Sequence, residues 1–374
     1  MTRLAFENGG IVTPAGIRDS LALTVADEAI ERLDPAEGTA IDLEGGLLLP
    51  GFIDTQVNGG GGALFNDAPT PETIARIGET HARFGTTAFL PTLISDTLDQ
   101  VAAALDAVDD AIARGVPACV GVHIEGPFLN AERKGIHDAR HFRPLDDEAI
   151  ALLTRPSAGK VMVTLAPERN HPDAIAALTA AGVIVSLGHT NATYDQARAA
   201  IEAGARGITH LFNAMSPLIH REPGMVGAAL EDPNVYCGLI VDNRHVHPAV
   251  LRVALAARPA DRMMLVTDAM PSVGNDGRPF TLNGAPIRVE DGVCVDANGT
   301  LAGCDLDMAT ALVNTLTIGV PVERASAMAS GNPAAFLGIE ATHGSIAAGR
   351  RADLVWLGAD HRVRGVWIGG ERIH

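Results

Sequence analysis

Short apolar runs recur through the middle of the chain, and each is followed by a polar residue, a glycine or a proline and then by a helical pattern. Several runs, such as residues 161–165, are almost continuously apolar, which is typical of parallel strands buried on both faces. Eight strands are predicted on this basis, over residues 51–58, 86–92, 120–126, 161–167, 183–189, 207–212, 238–242 and 263–268.

Helical patterns lie between most of these strands. Thr70, Pro71 and Glu72 form a typical helix start, with an N-cap hydroxyl, a proline in the first position and an acid in the first turn. Gly85 marks the end of that helix. Further helices are predicted over residues 95–114, 172–181, 193–203 and 248–257.

The alternation of strands and helices predicts an α/β fold, a (β/α)8 TIM-type barrel over residues 50–343. The alternative is an open doubly wound sheet, but the glycines at 59–62 do not have the GxGxxG spacing of a dinucleotide-binding sheet. Residues 1–49 and 344–374 carry short β-type runs and are expected to pair into one small β-sandwich domain. A β insert near residues 279–300 has hairpin signals at Asn283-Gly284 and Asp291-Gly292.

Composition narrows the class of protein. The 374 residues include 28 Lys+Arg and 45 Asp+Glu, for a formal net charge of −17, which repels polyanions. We therefore expect no nucleic-acid partner and no membrane partner. The first ten residues do not form a signal peptide, and no run approaches the ~20 apolar residues of a membrane span, so a cytoplasmic location is expected. The four cysteines form no CxxC pair and are interpreted as small buried hydrophobes: Cys119, Cys237, Cys294 and Cys304.

Candidate chemistry lies where the predicted strands end, because barrels carry their active sites at that face. Glu125, His189 and His210 lie at the ends of the third, fifth and sixth predicted strands. Two imidazoles and one carboxylate, with a position left for water, are the ligand set of a catalytic zinc-type site. The sequence therefore predicts a metal site at the mouth of the barrel.

Other polar strand-end residues leave alternatives open. Asp268 ends the eighth strand and is either a proton acceptor facing the metal or a loop cap. His123 shares a face with Glu125 and is interpreted as barrel filling or as support for the ligands. Asp54 is a candidate ligand by its position on the first strand, where it shares a face with Gln56 and Asn58.

The motifs resemble one family. Residues 50–54 (PGFID) are similar to the first barrel strand of the amidohydrolase superfamily, most members of which carry His-x-His where this chain has Gln56 and Asn58. That departure is characteristic of the N-acetylglucosamine-6-phosphate deacetylases, and the resemblance covers essentially the whole chain. The other matching segments include HIEGPF at 123–128, GHTNA at 188–192, HLFNAM at 210–215, REPG at 221–224 and TDA at 267–269.

The resemblance implies roles for individual residues. Glu125, His189 and His210 would bind one divalent metal per subunit, foremost Zn²⁺, with Fe²⁺ or Mn²⁺ as alternatives. Asp268 would act as general base and then as acid, and His137 would steady the substrate and the developing oxyanion. The implied substrate-binding residues are Ile136, His137, Asn213, Ala214, Arg221, His245, Leu301, Ala302 and Gly303.

The resemblance also implies an assembly and an activity. His245 would reach into the neighbouring subunit's site, so that a homodimer shares its sites. The activity would be hydrolysis of the acetamide of N-acetyl-D-glucosamine 6-phosphate to D-glucosamine 6-phosphate and acetate, in amino-sugar catabolism or recycling. Two alternatives stay open: a deacetylase of another sugar phosphate, such as N-acetylgalactosamine 6-phosphate, and a non-catalytic phosphosugar-binding regulator. A regulator would be expected to lose Asp268 or a metal ligand, and this chain keeps all four residues.

Overall fold

A computed structural model describes residues 3–19, 21–35 and 37–374. Eight parallel strands form one sheet in which every neighbour in space is also a neighbour in the chain. An isolated parallel bridge between Val57 and Ala269 joins the two ends of this sheet into a nearly closed barrel. The predicted fold class is confirmed. The barrel strands are β1 (Phe52–Val57), β2 (Thr86–Ile94), β3 (Gly121–Glu125), β4 (Lys160–Leu165), β5 (Ile184–Leu187), β6 (Gly207–Ile208), β7 (Tyr236–Leu239) and β8 (Met263–Leu265).

Helices cover the outside of the barrel, and local side chains fix where several of them begin. The Thr70 hydroxyl accepts a hydrogen bond from the backbone N–H of Thr73, and Thr193 forms a capping box with Gln196. The α-helices are α1 (Pro71–Ala82), α2 (Leu98–Ala113), α3 (Asp147–Leu153), α4 (Pro172–Ala180), α5 (Tyr194–Glu202), α6 (Gly224–Glu231), α7 (Pro248–Ala257), α8 (Met308–Thr317), α9 (Val322–Ser326) and α10 (Asn332–Leu337). Short 3₁₀ turns cover Ala131–Arg133, Ala139–His141, Pro167–Arg169 and Ala260–Arg262, and a π-helical turn covers Ala327–Gly331.

Two further sheets lie outside the barrel. One contains only strands from the N-terminal part of the chain, and the other joins strands from both ends. The edge-to-face contact of Phe6 with Trp367, with ring centroids 4.8 Å apart, lies in the core between strands from the two termini. One sheet has the order Ala29–Leu33, Leu23–Ala26, Arg3–Glu7 and Thr39–Asp42. The other has the order Glu371–Arg372, Val363–Ile368, Leu354–Leu357, Leu47–Pro50, Gly10–Thr13 and Gly16–Arg18.

A four-stranded antiparallel insert follows β8. Its first two hairpins turn at Asn283-Gly284 and Asp291-Gly292, where all four φ angles are positive, between 51° and 81°, as type I′ turns require. The insert is formed by the strands Phe280–Leu282, Ala285–Glu290, Val293–Val295 and Leu301–Cys304. A separate pair of two-residue strands, Gly59–Gly60 and Ala63–Leu64, follows β1. No helix within the described part of the chain is long and apolar enough to cross a membrane.

Candidate active site

The cavity at the mouth of the barrel collects almost all of the predicted site residues. It has a volume of about 360 Å³, and the ends of the barrel strands and the insert both contribute to its wall. The predicted residues that line it are Glu125, Ile136, His137, His189, His210, Asn213, Ala214, His245, Asp268, Leu301, Ala302 and Gly303.

Glu125, His189 and His210 converge with their ligand atoms on one point. The Glu125 Oε1 atom lies 3.2 Å from His189 Nε2 and 3.1 Å from His210 Nε2, and the two Nε2 atoms lie 3.1 Å apart. Ligand atoms around one tetrahedral zinc, with bonds of about 2.0–2.1 Å, are separated by roughly 3.3 Å. Two buried imidazole nitrogens that face each other beside a carboxylate therefore fit a divalent metal.

Hydrogen bonds behind the ligands set their orientation. His189 Nδ1 donates to the backbone carbonyl of Arg133 over 2.8 Å, which leaves the lone pair on Nε2 for a metal. The Glu168 carboxylate holds the segment after His189, because it accepts hydrogen bonds from the Thr190 hydroxyl at 2.5 Å and the Asn191 backbone N–H at 2.6 Å. The Arg133 contact ties the loop after β3 to the end of β5, and the Glu168 contacts tie the loop after β4 to it.

Three of the central residues have left-handed backbone conformations. The φ angles are 48° at His189, 32° at His210 and 51° at Asp268. Positive φ is uncommon for residues other than glycine and is concentrated at functional sites, where the surrounding structure holds it. The strands end earlier than predicted at each of these positions, at Leu187, Ile208 and Leu265, and the turn after each strand aims the side chain at the cavity.

Gln56 and Asn58 bind the two carboxylates at the centre of the site. Asn58 Nδ2 donates to Asp268 Oδ1 over 2.7 Å. Gln56 Nε2 lies 3.2 Å from Asp268 Oδ1 and 3.2 Å from each oxygen of Glu125. Burial, reinforced by the charge of Glu125, raises the pKa of Asp268 to about 6. A carboxylate held in this way can accept a proton near neutral pH and return it.

His137 presents a hydrogen-bond donor to the cavity. The backbone N–H of Ser95 donates to His137 Nδ1 over 3.3 Å, so the ring proton lies on Nε2. Burial and the neighbouring His189 lower the pKa of His137 to about 3, which keeps the ring neutral. The His137 and His189 ring centroids are 4.4 Å apart, which places the donor beside the ligand cluster.

Asp54 and His123 lie below the ligand cluster and do not join it. Asp54 accepts a 2.5 Å hydrogen bond from the Thr267 hydroxyl, and its burial raises its pKa to about 7. His123 Nε2 lies 2.7 Å from the Thr164 hydroxyl, and burial lowers the pKa of the ring to about 4. Asp54 therefore supports the end of β8, next to Asp268, instead of acting as a ligand.

Two implied substrate contacts are placed differently from expectation. His245, expected to reach into a neighbouring subunit, lines the cavity of its own chain, where its side chain is 5% exposed and its Nδ1 lies 2.6 Å from Asp242 Oδ2. Arg221, expected beside Asn213 and Ala214, lies in a separate groove on the exposed loop before α6. Reciprocal backbone hydrogen bonds between Ile219 and Glu222 close a tight turn in that loop.

Sequence reasoning missed several residues of the cavity wall. Glu132 and Arg133 come from the loop after β3, and Thr300 comes from the insert. Glu132 and Arg133 carry a usable signal, since they directly precede Lys134, Gly135 and His137, which also match the family's motifs. Thr300 carries the same kind of signal, since it directly precedes Leu301, an implied substrate contact.

A barrel with imidazole and carboxylate ligands at its mouth defines a class of metal-dependent hydrolases. The family model described as "Amidohydrolase family" matches residues 47–373, and the chain belongs to this family. The family implies a divalent metal, for which the Glu125, His189 and His210 group is a candidate site.

The relatives narrow the class to sugar-phosphate deacetylases. The chain is 43% identical to an N-acetylgalactosamine-6-phosphate deacetylase of Shewanella sp. (strain ANA-3), over 99% of this chain and 96% of the relative. It is 34% identical to an N-acetylglucosamine-6-phosphate deacetylase of Haemophilus influenzae, over 99% of both chains. The crystal structure of N-acetylglucosamine-6-phosphate deacetylase from Pasteurella multocida superimposes with a TM-score of 0.95 at 35% identity, over 99% of both chains. The resemblance stated from the motifs is confirmed.

Proposed function

We propose that this protein hydrolyses the acetamide of N-acetyl-D-glucosamine 6-phosphate to D-glucosamine 6-phosphate and acetate, in amino-sugar catabolism or recycling. The observation that carries the proposal is the meeting of three metal-type ligands, a buried carboxylate and a neutral imidazole donor in one cavity. A non-catalytic phosphosugar-binding regulator would not need metal ligands, a buried carboxylate and an imidazole donor together. A cytoplasmic location stays a prediction.

The divalent metal is held by Glu125, His189 and His210, and Zn²⁺ is the first choice because it prefers such nitrogen and oxygen ligands. When bound, it would polarise the acetamide carbonyl and lower the pKa of water. Gln56 and Asn58 donate their amide N–H groups to carboxylates, so they are not arranged to hold a second ion beside the first. We therefore propose one catalytic metal per chain, with Fe²⁺ or Mn²⁺ as alternatives.

The residues of the chain supply the proton transfers. Asp268 takes a proton from the attacking water as the oxygen bonds to the acetyl carbon, and it gives that proton to the amine nitrogen as the C–N bond breaks. The Nε2–H group of His137 donates to the carbonyl oxygen as negative charge develops there. Asn58 and Gln56 keep Asp268 aimed at the reacting atoms through their hydrogen bonds.

The phosphate group must be bound by local donors, because the chain as a whole carries −17. His245 and the segment of Asn213 and Ala214 line the same cavity. Arg221 does not reach this cavity within its own chain, and Leu218 and Ile219, on the same loop, are 56% and 47% exposed. Exposed apolar side chains beside an arginine favour an interface, so the proposed homodimer would carry Arg221 to the partner's cavity.

A second candidate substrate is N-acetyl-D-galactosamine 6-phosphate, the 4-epimer. It is favoured by the 43% identity to the Shewanella deacetylase, which exceeds the 34% identity to the Haemophilus deacetylase. The test measures acetate release from both epimers and compares kcat/KM. Turnover of either confirms a deacetylase and the larger kcat/KM names the substrate. A metal-loaded protein that releases acetate from neither would contradict the proposal.

The shared site can be tested by mixing impaired chains at a substrate concentration well below their KM. Asp268→Asn mixed with Arg221→Ala should exceed the activity of either chain alone, because one hybrid site then combines an intact Asp268 with the partner's Arg221. Asp268→Asn mixed with His245→Ala is the matched control and should show no gain over the His245→Ala chain alone, because His245 lies in its own chain's cavity. If proven subunit exchange restores no activity in the first mixture, Arg221 does not act across the interface.

A further inference from the structure

A second group of metal-type ligands lies at the same mouth of the barrel. His245 Nδ1 is 2.6 Å from Asp242 Oδ2, and Cys304 Sγ is 3.4 Å from His245 Nδ1 and 3.5 Å from Asp242 Oδ2. The side chains of Asp242 and His245 are each 5% exposed, and Cys304 is fully buried. The proposed reaction does not use the Cys304 thiol.

The backbone holds these three side chains in place. Asp242 Oδ1 accepts hydrogen bonds from the backbone N–H groups of Arg244 and His245, each 2.8 Å long, which leaves Oδ2 free to face the other two residues. Cys304 ends the last strand of the insert, and its own N–H donates to the Asp268 carbonyl over 3.0 Å. The insert therefore brings a thiol to a histidine and an aspartate that follow β7.

We propose that Asp242, His245 and Cys304 form a second metal site that takes a soft divalent cation such as Zn²⁺, Co²⁺ or Cd²⁺. Around a tetrahedral zinc with bonds of about 2.0–2.3 Å, ligand atoms lie roughly 3.3–3.6 Å apart. Both distances from Cys304 Sγ already match this range. The distance between His245 Nδ1 and Asp242 Oδ2 must increase by about 0.7 Å to reach it. A thiolate selects Zn²⁺ and its analogues over Mg²⁺ or Ca²⁺, which prefer oxygen ligands.

Metal binding at this site releases protons. The S–H bond of Cys304 breaks as the sulfur–metal bond forms, and the proton shared by His245 Nδ1 and Asp242 Oδ2 also leaves to solvent. Burial, together with the charge of Asp242, raises the pKa of the Cys304 thiol, so the empty site holds a neutral thiol. The group of Glu125, His189 and His210 needs neither this deprotonation nor an opening of its ligands, so we expect it to fill first.

Sulfur gives the second site a signature that the first cannot produce. Glu125, His189 and His210 contribute only oxygen and nitrogen, so a thiolate-to-cobalt charge-transfer band cannot come from the first site. Metal-free full-length protein is titrated with CoCl₂ in the near ultraviolet, and bound cobalt is counted by elemental analysis. We expect little band at one cobalt per chain and a full band at two.

Variants decide whether the band belongs to this site. Cys304→Ala should abolish the band and lower the limit to one cobalt per chain, whereas Cys294→Ala, in the neighbouring strand, should keep both. Asp242→Asn keeps the thiol and should weaken the second cobalt by at least ~10-fold, which tests the site even if Cys304→Ala does not fold. A wild-type protein without the band in excess cobalt, or a band that survives in folded Cys304→Ala, would overturn the proposal. Neither result bears on acetate release, which tests the proposed function separately.

Discussion

The two ligand groups at the mouth of the barrel differ in the distances between their ligand atoms when no cation is bound. In the first group, Glu125, His189 and His210 hold their ligand atoms 3.1–3.2 Å apart, and two imidazole nitrogens face each other. In the second, Asp242 and His245 already share a 2.6 Å hydrogen bond. The first group already has nearly the spacing of ligand atoms around one metal, whereas the second must first open its hydrogen-bonded pair.

This difference separates a preorganised site from one that must rearrange. Preorganised ligands bind without the cost of moving side chains or displacing a thiol proton. We therefore propose that the first group holds the catalytic metal and that the second adds a metal only when soft cations are in excess.

The largest effect is expected from Glu125→Gln, which removes the only charged ligand of the first group. A bound divalent metal supplies several kcal/mol of transition-state stabilisation, so kcat/KM should fall by at least ~10³-fold, with loss of bound metal. Glu132→Gln is the matched control, since Glu132 lines the same cavity without joining the ligand group. A Glu125→Gln protein that keeps one metal and wild-type turnover would remove the first group from catalysis.

Asp268→Asn should separate proton transfer from metal binding. The amide keeps the size of the carboxylate but cannot accept the proton, so kcat should fall by at least ~10²-fold while metal content stays at one per chain. Steady-state kinetics and elemental analysis on the same sample check both parts. Near-wild-type kcat in the metal-loaded variant would exclude Asp268 as the base.

His245→Ala should affect binding more than chemistry. Loss of a hydrogen bond to a charged phosphate costs about 1.5–3 kcal/mol, so KM for the phosphorylated substrate should rise by roughly 10–10²-fold. The reaction with unphosphorylated N-acetylglucosamine is the control and should change little. Equal losses on both substrates would show that His245 acts on the reaction centre and not on the phosphate.

The smallest effect concerns Asp54, whose pKa is raised to about 7 by burial, against about 3.9 in an unfolded chain. Between these values the unfolded state ionises and the folded state does not, so the free energy of unfolding falls as pH rises from about 4 to 7. Asp54→Asn removes this pH-dependent decrease in the free energy of unfolding, because an amide does not ionise. The Tm of the variant relative to wild type should therefore rise by roughly 2 °C or more between pH 5 and pH 7.5. A pH-independent difference would show that Asp54 is ionised in the folded protein.

The order of strands and the position of the site were predictable because both depend on local signals. Thr70, Pro71 and Glu72 mark a helix start through neighbouring contacts, and parallel strands bring their carboxyl ends to one face. Helix α3 was also within reach, because Asp146 caps it and Asp147 and Glu148 lie in its first turn. That acidic run is a usable signal for α3, which is absent from the predicted helices.

Other features depend on tertiary structure and left no local signal. The positive φ angles of His189 and His210 exist because the packed barrel holds them. His245 lies in the cavity and Arg221 lies in a separate groove, and this placement depends on how the two loops that carry them fold. Cys304 contacts Asp242, which lies 62 residues earlier in the chain, so the spacing of these residues in the sequence does not predict the contact.

We expect hydrolysis to depend on the sulfur-free group of Glu125, His189 and His210 alone. CoCl₂ added stepwise to metal-free protein tests this when acetate release and the thiolate-to-cobalt band are followed in the same samples. Acetate release should reach its maximum at one cobalt per chain, before the band develops. Activity that appears only as the band grows, or that needs a second cobalt, would show that the second group takes part in hydrolysis.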